Sequence, residues 1–70
     1  MSKMIGLREI RQKKGYSQLK VAMDLSISRE AISYYENGLR SPDIQLLLTL
    51  SDYFNVSIDY LIRGTEFEKK

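Results

Sequence analysis

Ser28, Arg29, Glu30, Ser33, Tyr34 and Asn37 recur at spacings that a helix turns toward one side. Each can donate or accept a hydrogen bond, and none is a large aliphatic residue. Ile32 and Tyr35, three positions apart, fall on the other side and suit burial. A polar face held from behind by apolar residues suits recognition of a hydrogen-bonding surface. The rest of the sequence argues against bond-breaking chemistry. It contains no cysteine and no histidine. Disulfides, structural zinc and every His- or Cys-based catalytic dyad are thereby excluded. No phosphate loop, paired-acid cleft or metal cluster stands out, so the reading is of a non-enzyme with no cofactor and no small-molecule ligand.

The charge is uneven along the chain. Residues 1–40 hold eight Lys/Arg against four acids, a balance of +4, and residues 41–70 hold three against five, a balance of −2. That asymmetry fits one face meeting a polyanion, although a solvated surface with scattered charges would look the same.

These side chains need short helices to position them, and the punctuation supplies the limits. Gly15, Gly38 and Gly64 each follow a possible helix and suit the left-handed residue past its end. Asn55 is the next best residue for that conformation. Ser17, Ser28, Ser41 and Ser57 suit N-caps, with Pro42 at a first helical position. The marks predict an all-α bundle of five short helices. Helix 1 runs from about Met4 to Lys14, with Leu7 and Ile10 inward. Helix 2 runs from Gln18 to about Leu25 and buries Val21, Ala22 and Leu25. Helix 3 runs from Arg29 to about Asn37. Helix 4 runs from Pro42 to about Phe54, with Ile44, Leu47, Leu50, Ser51 and Phe54 inward. Helix 5 runs from Ile58 to about Ile62, and residues 63–70 form a short polar tail. The alternation over Val56–Tyr60 is too short and isolated for a sheet.

The connection Ser26-Ile27-Ser28 between helices 2 and 3 is very short, the geometry of a helix-turn-helix. Ala22 is small enough for the two helices to cross closely. The run Gln18-Leu-Lys-Val-Ala22-Met-Asp-Leu-Ser-Ile27-Ser28-Arg-Glu-Ala-Ile32-Ser33-Tyr-Tyr-Glu36-Asn37-Gly38 resembles the helix-turn-helix of the phage repressor/Cro family, the XRE-like group. Leu7, Ile10, Arg11, Gly15 and Ser17 fit its first helix, and Pro42, Leu47, Leu50, Phe54, Val56 and Ser57 its fourth and fifth. The resemblance covers residues 5–62, with the motif at 18–37, and implies a lambda-repressor-like domain. Two positions depart from the family pattern. Ser26 stands where glycine is usual, and Ser51 where the fourth helix has another small residue.

The resemblance also implies roles. Gln18, beside the free amides of a helix start, would contact a DNA phosphate. Ser28, Arg29, Glu30, Ser33 and Tyr34 fall at the base-reading positions. Arg29 would grip guanine O6 and N7, or else touch phosphate without base choice. Glu30 would accept from cytosine N4, or pair with Arg29 and aim it. An acid so near phosphates needs a specific donor. Tyr34 would lie against a thymine methyl or bond a phosphate. Asn37 and Arg40 would clamp the backbone, while Lys14 and Lys20 add diffuse attraction. Arg11 and Glu36 match a buried ion pair between helices 1 and 3.

Seventy residues make one domain with a modest core, which a partner subunit would help to stabilise. Leu46, Leu48, Tyr53, Tyr60, Leu61, Ile62 and Phe67 exceed what one small core can bury, so some are expected in a homodimer interface through the C-terminal helices. Such a dimer would read a near-palindromic operator in double-stranded DNA, with half-sites about 34–36 Å apart. The expected function is transcriptional regulation, with repression favoured. The alternative is an antitoxin-like or immunity module that binds a protein on the same fold. The longest aliphatic run is Leu46-Leu47-Leu48, far short of the roughly 20 residues that span a bilayer. No membrane association is expected, and the location read from the sequence is cytoplasmic.

Overall fold

The computed structural model describes residues 3–65. Phe67, one of the expected interface residues, lies outside them. The helices are α1 (Ile5–Lys13), α2 (Gln18–Leu25), α3 (Arg29–Asn37), α4 (Ile44–Phe54) and α5 (Ile58–Arg63). Among the described residues there is no strand, and the alternating stretch at Val56–Tyr60 leads into α5.

Local chemistry sets most of the limits. Ser17, Ser28 and Ser57 accept hydrogen bonds from the backbone amides of Lys20, Ala31 and Tyr60, each satisfying a donor the helix leaves orphaned. Helix α4 departs from expectation. Its cap is Asp43, which accepts from the Leu46 amide at 2.8 Å, so the helix begins at Ile44 rather than Pro42. A carboxylate is favoured there because it also meets the positive end of the helix dipole.

Four helices end in the same way. A left-handed residue follows each, directly at Ser26, Gly38 and Asn55 and after Lys14 at Gly15. In each case the next amide reaches back five residues: Tyr16 to Arg11, Ile27 to Ala22, Leu39 to Tyr34 and Val56 to Ser51. This double closure is the Schellman motif, and it favours an apolar residue at the position that reaches back. Tyr16, Ile27 and Val56 pack against the core accordingly, while Leu39 stays 65% exposed.

The core comprises Met4, Leu7, Val21, Ala22, Ile32, Leu50, Phe54 and Leu61. Burying each larger side chain is worth about 1.5–3 kcal/mol. Leu61 is therefore core and not interface, whereas Leu48 and Ile62 are exposed, and Leu46, Tyr53 and Tyr60 half-buried. Ile44, expected inward, is 76% exposed. It occupies the first position of α4, and the buried residue at this end is Pro42.

Two contacts tie together helices that are not neighbours in sequence. At α1–α5 the backbones almost touch: a Cβ on Gly6 would sit 1.6 Å from the Tyr60 carbonyl oxygen. A Cβ on Gly64 would lie 3.2 Å from Ile5 Cγ2 and 3.8 Å from the Gly6 nitrogen. Between α2 and α4, the Tyr53 hydroxyl donates to Asp24 at 2.5 Å, and the Tyr53 ring meets Phe54 edge-on at 4.8 Å.

Candidate nucleic-acid interface

Glu36 organises the site. Its side chain is fully buried at 0% exposure, and such a charge is tolerable only when its partners are close. Arg11, itself 12% exposed, donates from Nε to Oε2 at 2.7 Å and from Nη2 to Oε1 at 3.1 Å. This two-pronged contact crosses from α1 to α3. A third Arg11 donor, Nη1, caps the Tyr16 carbonyl at 2.9 Å, tying the pair to the end of α1. Gln18 Nε2 donates to Glu36 Oε1 at 3.0 Å and brings in the start of α2. One carboxylate thus fixes three helices relative to one another.

Gln18 also faces outward. Its Oε1 accepts from Arg29 Nη1 at 3.4 Å. Arg29 is therefore held by Gln18, and not by Glu30, which is exposed in the first turn of α3. Ser28 spends its acceptor as the cap of α3, leaving its hydroxyl proton free to point elsewhere. Ser33 and Asn37 are joined, since Asn37 Nδ2 donates to the Ser33 carbonyl at 2.8 Å and to Ser33 Oγ at 3.3 Å. The Arg40 guanidinium lies over the Tyr34 ring, 5.4 Å from its centroid. Lys20 is occupied, bonded to Asp24 at 3.0 Å with its ammonium 4.8 Å from the Tyr16 ring centroid. Lys14 is exposed.

One residue escaped the sequence reading. Arg8 reaches from α1 to Glu36 Oε1 at 3.5 Å and to Asn37 Oδ1 at 3.3 Å. The available signal was its spacing, since three positions before Arg11 puts it on the same side of α1.

The outer face of α3 therefore carries Arg29, Glu30, Ser33 and Tyr34, while Glu36 on the opposite side locks the helix to α1 and α2. A family model described as helix-turn-helix matches residues 7–61. The chain belongs to the helix-turn-helix family. It is 47% identical over 64 residues to the HTH-type transcriptional regulator ImmR of Bacillus subtilis, across 91% of this chain and 50% of that protein. It is 42% identical over 59 residues to YonR of the same organism, an SPbeta prophage-derived uncharacterized HTH-type transcriptional regulator, across 84% and 55%. The HTH-type transcriptional activator BcrR of Enterococcus faecalis is 38% identical over 60 residues, across 86% of this chain and 29% of that protein. The chain thus spans about half the length of the first two relatives and less of the third. The helix-turn-helix itself is α2 and α3 with the left-handed Ser26 between them. Among the described residues no helix is long and apolar enough to cross a membrane.

Proposed function

We propose that the chain binds double-stranded DNA sequence-specifically as a transcriptional regulator, with α3 in the major groove, and that it represses by occupying its operator. The observation that carries this reading is the two-sidedness of α3. Its outer face offers hydrogen-bonding groups, and its inner face is fixed through Glu36. Rigid placement matters because base readout depends on donors and acceptors meeting fixed groove edges. The names of the relatives as HTH-type transcriptional regulators support the same reading.

Within it, Arg29 reads a guanine and Gln18 aims it. The Gln18 amide gives one hydrogen to Glu36 and keeps the second for a phosphate. Ser28, Glu30, Ser33 and Tyr34 complete the reading face, and Arg40, stacked on Tyr34, adds charge at its edge. Two copies bind as a homodimer through exposed residues of α4 and α5, such as Leu48 and Ile62, on a near-palindromic operator. The test is selection of bound duplexes from random DNA, followed by fluorescence anisotropy of the selected sequence across a salt series. The expected result is a two-fold symmetric site whose affinity falls steeply with salt. Affinity equal to that for random DNA, with no salt dependence, would overturn the reading.

A further inference from the structure

Asn37 stands where a backbone clamp belongs at the end of α3, yet its donors are committed. Both of its amide contacts go to Ser33, at 2.8 Å and 3.3 Å. An amide nitrogen has only two hydrogens, so as it stands Asn37 has none for a phosphate. What it offers outward is its carbonyl oxygen, and that accepts from Arg8 Nη2 at 3.3 Å.

Arg8 has the opposite character. Its charge is not needed to neutralise Glu36, because Arg11 already meets both carboxylate oxygens at 2.7 Å and 3.1 Å. The Arg8 contact to Glu36 is the longest of the set at 3.5 Å, at the limit of a hydrogen bond. The Arg8 side chain is 49% exposed, against 12% for Arg11. Two of its five N–H donors make these contacts, so among the described residues three are left for an anion. The group Arg8, Arg11 and Glu36 carries one positive charge in excess, and that charge rests on its most exposed member.

We propose that Arg8 is the phosphate clamp at the C-terminal end of the recognition helix. It is parked in the free protein against Asn37 Oδ1 and turns its open donors to the DNA backbone on binding. This rests on the DNA-binding reading above. The cation also offsets the negative end of the α3 dipole, which would otherwise repel a phosphate there. Asn37 then acts through Arg8, as the group that holds it in place.

The test uses the full 70-residue chain and the duplex that the wild type selects from random DNA. Anisotropy titrations across a salt series compare wild type, R8Q and R8K. A clamp on one phosphate contributes about 0.9 to the slope of log affinity against log salt, and the two copies on one operator contribute about 1.8 together. R8Q should lose about that much slope and bind several-fold more weakly, with an unchanged ranking of base substitutions and a melting temperature close to wild type. R8K, which keeps the charge, should keep the slope. An R8Q slope equal to wild type, including the case in which affinity falls only because the fold is weakened, overturns the proposal. So does a slope lost equally in R8K. Failure of the wild type to select any duplex is a different outcome, because it overturns the DNA-binding reading itself and the clamp with it.

Discussion

At the scale of single residues, the fold depends on which charges are covered. Glu36 receives four hydrogen bonds from three side chains, Arg8, Arg11 and Gln18. Glu36→Gln removes the negative charge and leaves Arg11 half-satisfied in a site that is 12% exposed. Breaking one side of such a pair costs about 3–5 kcal/mol, a large share of the roughly 5–15 kcal/mol that holds a domain folded. The urea midpoint of E36Q should fall accordingly, and a midpoint within error of wild type would mean the pair contributes nothing net. The Tyr53–Asp24 contact gives a different signature. Hydrogen bonds from Tyr53 and then Lys20 hold the Asp24 carboxyl below its ordinary value of 3.8. Burial, then the bond to Asp24, pushes the Tyr53 hydroxyl from 10.0 up to about 12. The lowered acid stabilises the fold above its ordinary value, and that contribution is lost as pH falls through the lowered one. The raised tyrosine stabilises below 10.0, and its contribution is lost as pH climbs toward about 12. Tyr53→Phe should flatten both flanks of the urea-midpoint profile against pH. A profile parallel to wild type at both ends would rule the contact out as a source of stability.

At the scale of elements, the helix ends show what is written locally and what is not. The left-handed positions at Gly15, Gly38 and Asn55 are legible because a single residue type, next to the end of an apolar period, is enough to mark them. Ser26 is legible only as a departure, a serine at φ 58° and ψ 41° where glycine carries no steric penalty. The left-handed conformation costs an ordinary residue about 1–2 kcal/mol, while glycine gives back roughly 0.5–1 kcal/mol in the entropy of the unfolded chain. Ser26→Gly should therefore stabilise by somewhat under about 1 kcal/mol, read as a rise of a few degrees in melting temperature. A fall would mean that the serine side chain makes its own contribution to the turn. The start of α4 was misread because Ser41-Pro42 and Asp43 are competing signals two residues apart, and only the fold decides between them. Gly6 gave no local sign at all, since its need for hydrogen instead of Cβ comes from Tyr60, far along the chain. Gly6→Ala places an atom 1.6 Å from backbone, which no side-chain rotation relieves. The α1–α5 join must part, at a cost of about 3 kcal/mol or more by thermal melting. Wild-type stability in G6A would show that the helices can slide.

At the scale of the whole molecule, the polar outer face of α3 was visible in the sequence because it lies within one helix, and the contact of Arg8 with Glu36 and Asn37 was not because it joins two. Arg8 is 28 and 29 residues from the groups it touches, so its spacing from Arg11 marks its side of α1 but not its partners. The surplus of apolar residues was visible as a surplus, but not its division. Leu61 is covered and Ile62, its neighbour, is not, and only the docking of α5 on α1 sorts them. That docking also makes the path of the described residues nearly a closed ring. Gly64 comes back so near Ile5 and Gly6 that a Cβ on it would lie 3.2 Å from Ile5 Cγ2, while Leu39, Arg40 and Ser41 lie exposed on a connection between helices. A ring can be opened anywhere that carries little structure. A circular permutant of these 70 residues, with residues 1 and 70 linked and new ends between Leu39 and Arg40, should keep the helical circular dichroism and cooperative melting of the original. A permutant without a cooperative melt would show that chain order, and not only the final contacts, is required for this fold.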